Sequence, residues 1–209
     1  MFIMKKRFLG ILTCLIVFFL IGCGNLSQTL KSENATSNQE SIEVESTTIV
    51  NKELVVYFSW SGNTAKVASK IQNETGADSF EIVPEQPYTE DYNTLLDIAK
   101  KENDNKARPE IAGKIENIDD YDVIFLGFPN WWGDMPMIVY SFLDKYDLSG
   151  KIIAPFCTSG GSGFSNTLSE IKTLEPNANV VEGLQVEGSR ADDSRESISG
   201  WLQKINMNK

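Results

Sequence analysis

Short apolar runs and amphipathic segments alternate along residues 53–209. The apolar runs are rich in β-branched and aromatic residues, as strands are, whereas the amphipathic segments repeat apolar residues at the three- and four-residue intervals of a helix. The runs predict five strands, at Leu54–Phe58, Ser79–Val83, Val123–Phe128, Ile152–Phe156 and Val180–Leu184. The segments predict helices at Thr64–Thr75, Tyr92–Glu102, Pro136–Tyr146, Phe164–Leu174 and Asp192–Ile205.

This order of elements predicts an α/β fold. Strands that alternate with helices are typical of a parallel sheet with helices on both faces, and strands that are apolar throughout are typical of burial on both sides. We therefore expect a doubly wound, five-stranded parallel sheet. Such sheets bind ligands at the carboxyl ends of their strands, where the winding reverses. The candidate site thus comprises the loops that follow the first, third and fourth strands.

The loop after the first strand is small and rich in hydroxyl groups. It consists of Ser59, Trp60, Ser61, Gly62, Asn63 and Thr64. The unpaired N–H groups and the positive dipole of a helix N-terminus attract anions, and the hydroxyl and amide side chains add donors. The loop contains no Lys or Arg, so the pattern predicts a phosphate-binding loop made of neutral donors. The alternative is an ordinary capped turn between a strand and a helix.

The loop after the third strand carries two adjacent indoles. It consists of Pro129, Asn130, Trp131, Trp132 and Gly133, followed by Asp134. Two indoles are costly to leave in water, and stacking on a flat ligand stabilises an aromatic pair by about 0.5–1.5 kcal/mol beyond burial. The alternative is that one or both of them only pack onto the following helix. We expect one Trp to do so and the other to face a ligand.

The loop after the fourth strand is rich in glycine, which allows a ligand to approach the backbone closely. It contains Thr158, Ser159, Gly160, Gly161, Ser162 and Gly163. A serine hydrolase needs a His, which the chain lacks entirely, and a P-loop needs a Gly-Lys-Ser/Thr ending. The alternative is a flexible turn. Together the three loops suit a phosphate, a flat ring and the polar rim of that ring, which are the parts of FMN.

Two of these motifs resemble those of the flavodoxin family, and the likeness extends over nearly all of residues 53–209. Ser59–Thr64 is similar to the family's phosphate loop, and Trp132-Gly133-Asp134 is similar to its Trp-Gly-Asp sequence after the third strand. The resemblance implies a sheet order of 2-1-3-4-5, FMN as cofactor and a Trp beside the flavin. It also implies that the Gly133 carbonyl accepts a hydrogen bond from the flavin N5, which favours one-electron transfer with a redox partner protein.

Other features resemble the flavodoxin-like NAD(P)H:quinone reductases. These are Pro129-x-Trp131-Trp132 and Thr158–Gly161. The fourth-strand loop also lacks the Tyr that covers the flavin in many flavodoxins, and an open ring face suits hydride transfer from a nicotinamide. A flavoenzyme that reduces quinones with NAD(P)H is therefore the alternative function. A binding module that has lost the cofactor is a third. We assign no catalytic side chain and no metal ligand, and we assign Tyr88 and Tyr92 to surface packing.

The first residues resemble the signal of a bacterial lipoprotein. Three basic residues precede an apolar run that is too short to span a membrane comfortably, and Leu20-Ile21-Gly22-Cys23 is similar to a lipobox. The resemblance implies lipidation of Cys23 at the extracytoplasmic face of a bacterial membrane; an uncleaved anchor and a non-lipid signal are alternatives. The expected regions are a signal peptide at 1–22, lipidated Cys23 with a disordered tether at 23–52, and an FMN-binding domain at 53–209.

The charge and cysteine content narrow the range of partners. Removing residues 1–22 takes away three basic and no acidic residues, which changes the net charge from −10 to about −13. A surface of this charge repels nucleic acid and anionic lipid headgroups, so we expect membrane attachment through the lipid alone. Cys157 is then the only unmodified thiol, which excludes a disulfide within the chain. The oligomeric state stays open.

Overall fold

The computed structural model describes residues 51–207, which form alternating strands and helices. The strands are β1 (Glu53–Tyr57), β2 (Asp78–Glu81), β3 (Val83–Pro84), β4 (Ile111–Ala112), β5 (Val123–Pro129), β6 (Ile152–Ser159), β7 (Asn179–Val180) and β8 (Leu184–Glu187). The helices are α1 (Asn63–Thr75), α2 (Tyr92–Asp104), α3 (Met137–Lys145), α4 (Thr167–Leu174) and α5 (Arg195–Lys204). Two 3₁₀ segments lie at Ile118–Asp120 and Gly188–Asp193.

The main sheet is parallel and doubly wound, as the sequence predicts. Its strand order is β2-β1-β5-β6, with β7 and β8 both paired to β6 along the outer edge. Counted along the chain, with the divided edge taken as one strand, this is the predicted order 2-1-3-4-5. The short antiparallel pair of β3 and β4 lies outside the main sheet and was not predicted.

Helices cover both faces of the sheet because successive side chains of the strands point in opposite directions. In β1, Leu54 and Val56 belong to the apolar cluster beneath α3 and α4, whereas Val55 belongs to the cluster beneath α1 and α5. In the central strand β5, Gly127 is needed for packing, because a Cβ there would lie 2.0 Å from the Phe156 ring. The predicted two-sided burial of the central strands is confirmed.

The prediction of one edge strand at Val180–Leu184 is wrong, because the edge is divided. The N–H of Val181 donates to the carbonyl of Ile153, so Pro155, two residues further along β6, faces the same edge. Proline has no N–H to donate, and pairing stops there. At this break the Phe164 ring lies so close to Gly183 that a Cβ would lie 2.5 Å from it. Pairing resumes in β8.

Two helices begin later than the sequence predicts. Helix α4 starts at Thr167 because Phe164 packs edge-on against Phe128 and Ser165 has a φ of 50°, which a right-handed helix does not allow. Helix α5 starts at Arg195, after the 3₁₀ segment Gly188–Asp193.

The predicted signal peptide, Cys23 and the tether up to residue 50 lie outside the described residues. Lys52, which the sequence assigned to the tether, is hydrogen bonded to Asp122 through its N–H and its carbonyl. The folded part of the chain therefore includes Lys52. Within residues 51–207, no helix is both long enough and apolar enough to cross a membrane.

Candidate functional site

A cavity of about 570 Å³ opens at the carboxyl edge of the sheet, where the three predicted loops meet. The predicted residues that line it are Trp60, Ser61, Asn63, Pro129, Asn130, Trp131, Trp132, Thr158, Ser159 and Gly160. The predicted residues that lie in the same loops but do not line it are Ser59, Gly62, Thr64, Gly133, Gly161 and Gly163. The fold therefore brings all three loops to one site, in which only part of each loop faces the cavity.

The polar end of the cavity is the N-terminus of α1. The first N–H groups of this region with a protein partner are those of Ala65, bonded to Ser59 Oγ at 3.2 Å, and Lys66, bonded to the Gly62 carbonyl at 3.1 Å. No described residue accepts a hydrogen bond from the N–H groups of residues 61–64. Four adjacent donors without a protein partner, at the positive end of a helix dipole, suit an anion.

The hydroxyl groups of Ser59 and Thr64 hold this loop rather than face the cavity. Ser59 accepts the N–H of Ala65, and the hydroxyl of Thr64 is hydrogen bonded to that of Thr158 at 2.8 Å, with both side chains buried. The second bond joins the phosphate-loop candidate to β6. Gly62 has a φ of 85°, a left-handed conformation that glycine adopts without strain.

The positions of the two indoles are set by a tight turn at Trp131–Asp134. The N–H of Trp131 donates to the Asp134 carbonyl at 2.8 Å, and the N–H of Asp134 donates to the Trp131 carbonyl at 3.1 Å. Trp132 and Gly133 have φ values of 56° and 81°, and positive φ at both central positions is the signature of a type I′ turn. A Trp in this conformation is rare and strained, and such strain is concentrated at functional sites.

The turn gives the two indoles different environments. Trp131 packs edge-on against Phe58 and Tyr88, with ring centroids 5.4 Å apart in each case. Trp132 is 54% exposed, and its indole N–H donates to the Leu96 carbonyl of α2 at 3.1 Å. One Trp packs and the other stays open, as predicted, but the aromatic partners of the packed Trp131 do not belong to the following helix, α3. Phe58 directly follows β1 and Tyr88 lies in the segment before α2. Trp131 also packs against the main apolar cluster.

The glycine-rich loop after β6 is closed by its own serine. Ser159 Oγ accepts the N–H groups of Gly161 at 3.2 Å and Gly163 at 2.9 Å. The sequence assigned N–H donors of this loop to a ligand, whereas two of them are used within the loop. The preceding Cys157 is buried, and burial raises the pKa of its thiol to about 12. A buried, protonated thiol of this kind is typical of a structural cysteine.

Helix α2 forms a wall that the sequence analysis missed. The residues it contributes are Tyr92, Leu95, Leu96 and Ala99. The Tyr92 ring is 59% exposed and tilted toward Trp60 at a centroid distance of 6.2 Å, so its assignment to surface packing is wrong. The Trp60 indole N–H donates to the Thr89 carbonyl at 2.9 Å and ties the two segments together. The amphipathic pattern of α2 shows that one face of the helix is buried, but it does not show that this face lies against the cavity.

The segment after β8 closes the polar end and was also missed. It contributes Gly188 and Ser189 to the lining, next to Glu187, the last residue of β8. Gly188 lies against the phosphate-loop candidate, because a Cβ there would lie 3.0 Å from the Asn63 side-chain nitrogen. Lys66 pairs with Asp192 at 2.8 Å, which lowers the pKa of that carboxyl through the hydrogen bond. This clip holds the segment on α1. In the sequence, the only indication of this contact is Gly188 itself, just after the edge strand β8.

The site combines neutral donors with an apolar slot. Among the described residues that line the cavity, Glu187 alone is charged, and no Lys or Arg is present. In residues 51–207, no group of three or more potential ligands is placed to hold a metal ion. Donors at one end and indole, tyrosine and leucine side chains at the other suit a planar aromatic molecule with a phosphate tail.

Comparison with known proteins agrees with this geometry. The family model described as flavodoxin matches residues 52–205. The chain is similar to a structure from Bacteroides eggerthii assigned as a flavoprotein, with 39% identity, a TM-score of 0.65, and coverage of 75% of this chain and 98% of that one. It is similar to a Lactobacillus acidophilus flavoprotein in complex with FMN, with 31% identity, a TM-score of 0.57, and coverage of 68% and 97%.

Proposed function

The chain belongs to the flavodoxin family, whose cofactor is FMN, and we propose that it is an electron carrier that exchanges single electrons with a redox partner protein. The family match confirms the resemblance that the loop motifs indicated. The Lactobacillus protein in complex with FMN is similar over two thirds of this chain and supports the same cofactor here. The observation that carries the proposal is the cavity, which has four unengaged N–H groups at one end and indoles at the other.

The residues of the cavity fit FMN part by part. The N–H groups of residues 61–64 would hold the phosphate, with the hydroxyl of Ser61 and the amide of Asn63 as further donors. Trp131, Trp132 and Tyr92 would flank the ring. When bound, FMN supplies the redox chemistry itself, because it accepts and releases one or two electrons.

The protein's own groups favour one-electron exchange. No described residue donates a hydrogen bond to the Gly133 carbonyl, so this exposed oxygen is free to accept one from a protonated ring nitrogen. Acidic residues outnumber basic ones by 29 to 19, and Glu187 lines the cavity. Negative charge around the ring opposes the addition of further negative charge, which lowers the potential of the second electron relative to the first.

We further propose that the mature protein is tethered by lipid on Cys23 to the extracytoplasmic face of a bacterial membrane. The support is the basic, apolar and lipobox-like sequence at residues 1–23. Expression of the full chain in a bacterium fed a labelled fatty acid tests this. We expect the label on the wild type and none on Cys23→Ala; an unlabelled wild type would contradict lipidation.

A quinone reductase that uses NAD(P)H is the second candidate. The exposed Trp132 indole favours it, because an open site admits a second planar molecule. Against it, the described cavity lining has no Lys or Arg to hold the phosphates of a dinucleotide. Rapid anaerobic bleaching of the bound flavin by NADPH would favour this enzyme, and a flavin that stays oxidised for hours would exclude it.

A redox titration of the FMN-loaded protein distinguishes the functions. We expect two one-electron steps, the second at a clearly lower potential than the first. A single two-electron step, together with fast reduction by NADPH, would favour the reductase. A purified protein that contains no flavin and does not take up added FMN would instead indicate a binding module without cofactor.

A further inference from the structure

Asn130 is bonded through one side chain to both loops beside the aromatic end of the cavity. Its Nδ2 donates to the Gly163 carbonyl at 2.8 Å and to Ser165 Oγ at 3.1 Å. Its Oδ1 accepts the N–H of Gly133 at 3.0 Å. The orientation of the amide follows from its partners, because an N–H requires the oxygen and a carbonyl requires the nitrogen.

The backbone of Asn130 extends this link to the third loop. Its N–H donates to the Thr158 carbonyl at 2.8 Å, and the Thr158 hydroxyl is bonded to that of Thr64. The phosphate-loop candidate, the turn Trp131–Asp134 and the glycine-rich loop are therefore joined through one residue and its strand neighbour. No other described residue lining the cavity is hydrogen bonded through its side chain to both of the last two loops.

Two strained residues lie next to the groups that Asn130 binds. Trp132, with a φ of 56°, directly precedes the Gly133 N–H, and Ser165, with a φ of 50°, provides the hydroxyl. Residues with a Cβ avoid this left-handed region unless other interactions hold them there. The hydrogen bond to Gly133 fixes the peptide plane between Trp132 and Gly133, and with it the direction in which the Trp132 side chain leaves the backbone.

We propose that Asn130 is a positioning residue, which holds Trp132 in its left-handed conformation and keeps the ring end of the cavity formed before the cofactor arrives. The proposal rests on the proposed function as far as the ligand is FMN. The bond to Gly163 attaches the turn to the glycine-rich loop, so that neither moves without the other. Asn combines two donors with an acceptor at this length, whereas Asp has no donor and would direct an oxygen at the Gly163 carbonyl.

The effect on the empty protein is measured first. The four Trp residues are labelled with 5-fluorotryptophan, and the Trp132 resonance is assigned by its loss in Trp132→Phe. We expect Asn130→Ala to shift and broaden this resonance while the Trp201 resonance stays in place. Asn105→Ala is the matched control, because it removes an amide hydrogen bond of 2.8 Å at the distant end of α2. An unchanged Trp132 resonance in Asn130→Ala would overturn the proposal.

Binding of FMN is measured next, by quenching of flavin fluorescence. We expect Asn130→Ala to raise the Kd about tenfold, which is about 1.4 kcal/mol, and Asn105→Ala to leave it unchanged. In the Trp132→Ala background, Asn130→Ala should raise the Kd less than twofold, because the group that it positions is gone. A tenfold effect in both backgrounds would show that Asn130 acts on folding in general and would overturn the proposal.

A measurement on the wild type keeps the test independent of variant folding. Gly133 lies in an exposed turn, yet its amide should exchange with solvent at least tenfold more slowly than an unbonded amide, because Asn130 Oδ1 accepts it. Exchange at the unprotected rate would overturn the proposal. A wild type that fails to bind FMN would contradict the proposed function alone, since the fluorine resonance and the exchange rate still report on Asn130.

Discussion

The two ends of the cavity are built on opposite principles. At the phosphate end, the backbone leaves four adjacent N–H groups without a protein partner and surrounds them with small neutral side chains. At the ring end, the N–H of Gly133 is bonded to Asn130 and the N–H of Asp134 is bonded to the Trp131 carbonyl. The backbone there is held in a strained turn. The N–H groups of the phosphate end are therefore available to a ligand. The hydrogen bonds of the ring end instead fix the position of the Trp132 indole.

The difference indicates a division of work. Unengaged donors at a helix N-terminus supply binding free energy for the phosphate. The fixed indoles and the unbonded Gly133 carbonyl should supply less binding free energy. They should instead determine the environment of the flavin ring, and so its reduction potentials. Changes at the phosphate end should therefore act mainly on the Kd for FMN. Changes at the ring end should act on stability or on potentials, depending on which indole is removed.

The largest effect on stability should come from the packed indole. Trp131→Ala removes a ring that contacts Phe58 and Tyr88, and we expect the free energy of unfolding to fall by about 3 kcal/mol. Trp132→Ala removes an exposed ring and should cost less than about 1 kcal/mol in stability while raising the Kd for FMN about tenfold. Urea unfolding and FMN titration measure the two quantities. Equal losses of stability would contradict the division between the indoles.

A negative charge in the phosphate loop should have the next largest effect. Gly62→Asp places a carboxylate beside the unengaged N–H groups, and we expect the Kd for FMN to rise at least 100-fold, or about 2.7 kcal/mol. Gly113→Asp is the control, since Gly113 also has a positive φ (76°) and open space around it, but lies outside the loops and segments that form the cavity. Equal weakening of FMN binding by both substitutions would contradict phosphate binding at the N–H groups of residues 61–64.

The buried hydroxyl pair joins the two ends and should have an intermediate effect. Thr158→Val keeps the shape of the side chain but leaves the Thr64 hydroxyl without a partner, and we expect a loss of about 2 kcal/mol in the free energy of unfolding. Thr173→Val removes an exposed hydroxyl bonded to the Ser169 carbonyl and should cost far less. Thermal unfolding of both variants checks this, and a silent Thr158→Val would show that the pair contributes nothing.

The smallest effect should arise at the opposite edge of the sheet. Burial, with Asp147 and Asp144 nearby, raises the pKa of Glu175 from its usual value near 4.5 to about 7. The folded state then binds the proton more tightly than the unfolded state, so the contribution of Glu175 to stability is fully present below about pH 4.5 and is lost as the pH rises through about 7.

Substituting Glu175→Gln should remove this fall. The gain at pH 8 should be well under 1 kcal/mol, because the partly exposed carboxylate is screened by solvent. Unfolding curves at pH 5 and pH 8 measure it. The Kd for FMN should not change, which separates this edge from the site; a change in the Kd would show that the site extends further than the three loops, α2 and the segment after β8.

The sequence predicted what depends on local pattern. Five apolar runs and their helices were sufficient for a doubly wound parallel sheet, whereas its strand order followed from the resemblance to the flavodoxin family. The hydroxyl-rich turn before α1 indicated where the unengaged N–H donors lie. The divided edge strand was missed because it depends on Pro155 in a neighbouring strand and on the Phe164 ring, neither of which is close in sequence.

The missed parts of the site have the same origin. The α2 wall and Gly188 reach the cavity through long-range packing, and the role of Asn130 depends on partners up to 35 residues away. The left-handed Trp132 has no signal in composition, because bulky residues disfavour that conformation. Local donors were therefore predictable, and the contacts that position them were not.

The central claim is that the N–H groups of residues 61–64 bind the phosphate of the cofactor without help from a charged side chain. FMN and riboflavin differ only in that phosphate. The most direct measurement is therefore the ratio of their Kd values for the cofactor-free protein. We expect FMN to bind at least 100-fold more tightly, with the amide resonances of residues 61–64 shifting only when FMN is added. Equal affinities, with those amides unmoved, would contradict the account.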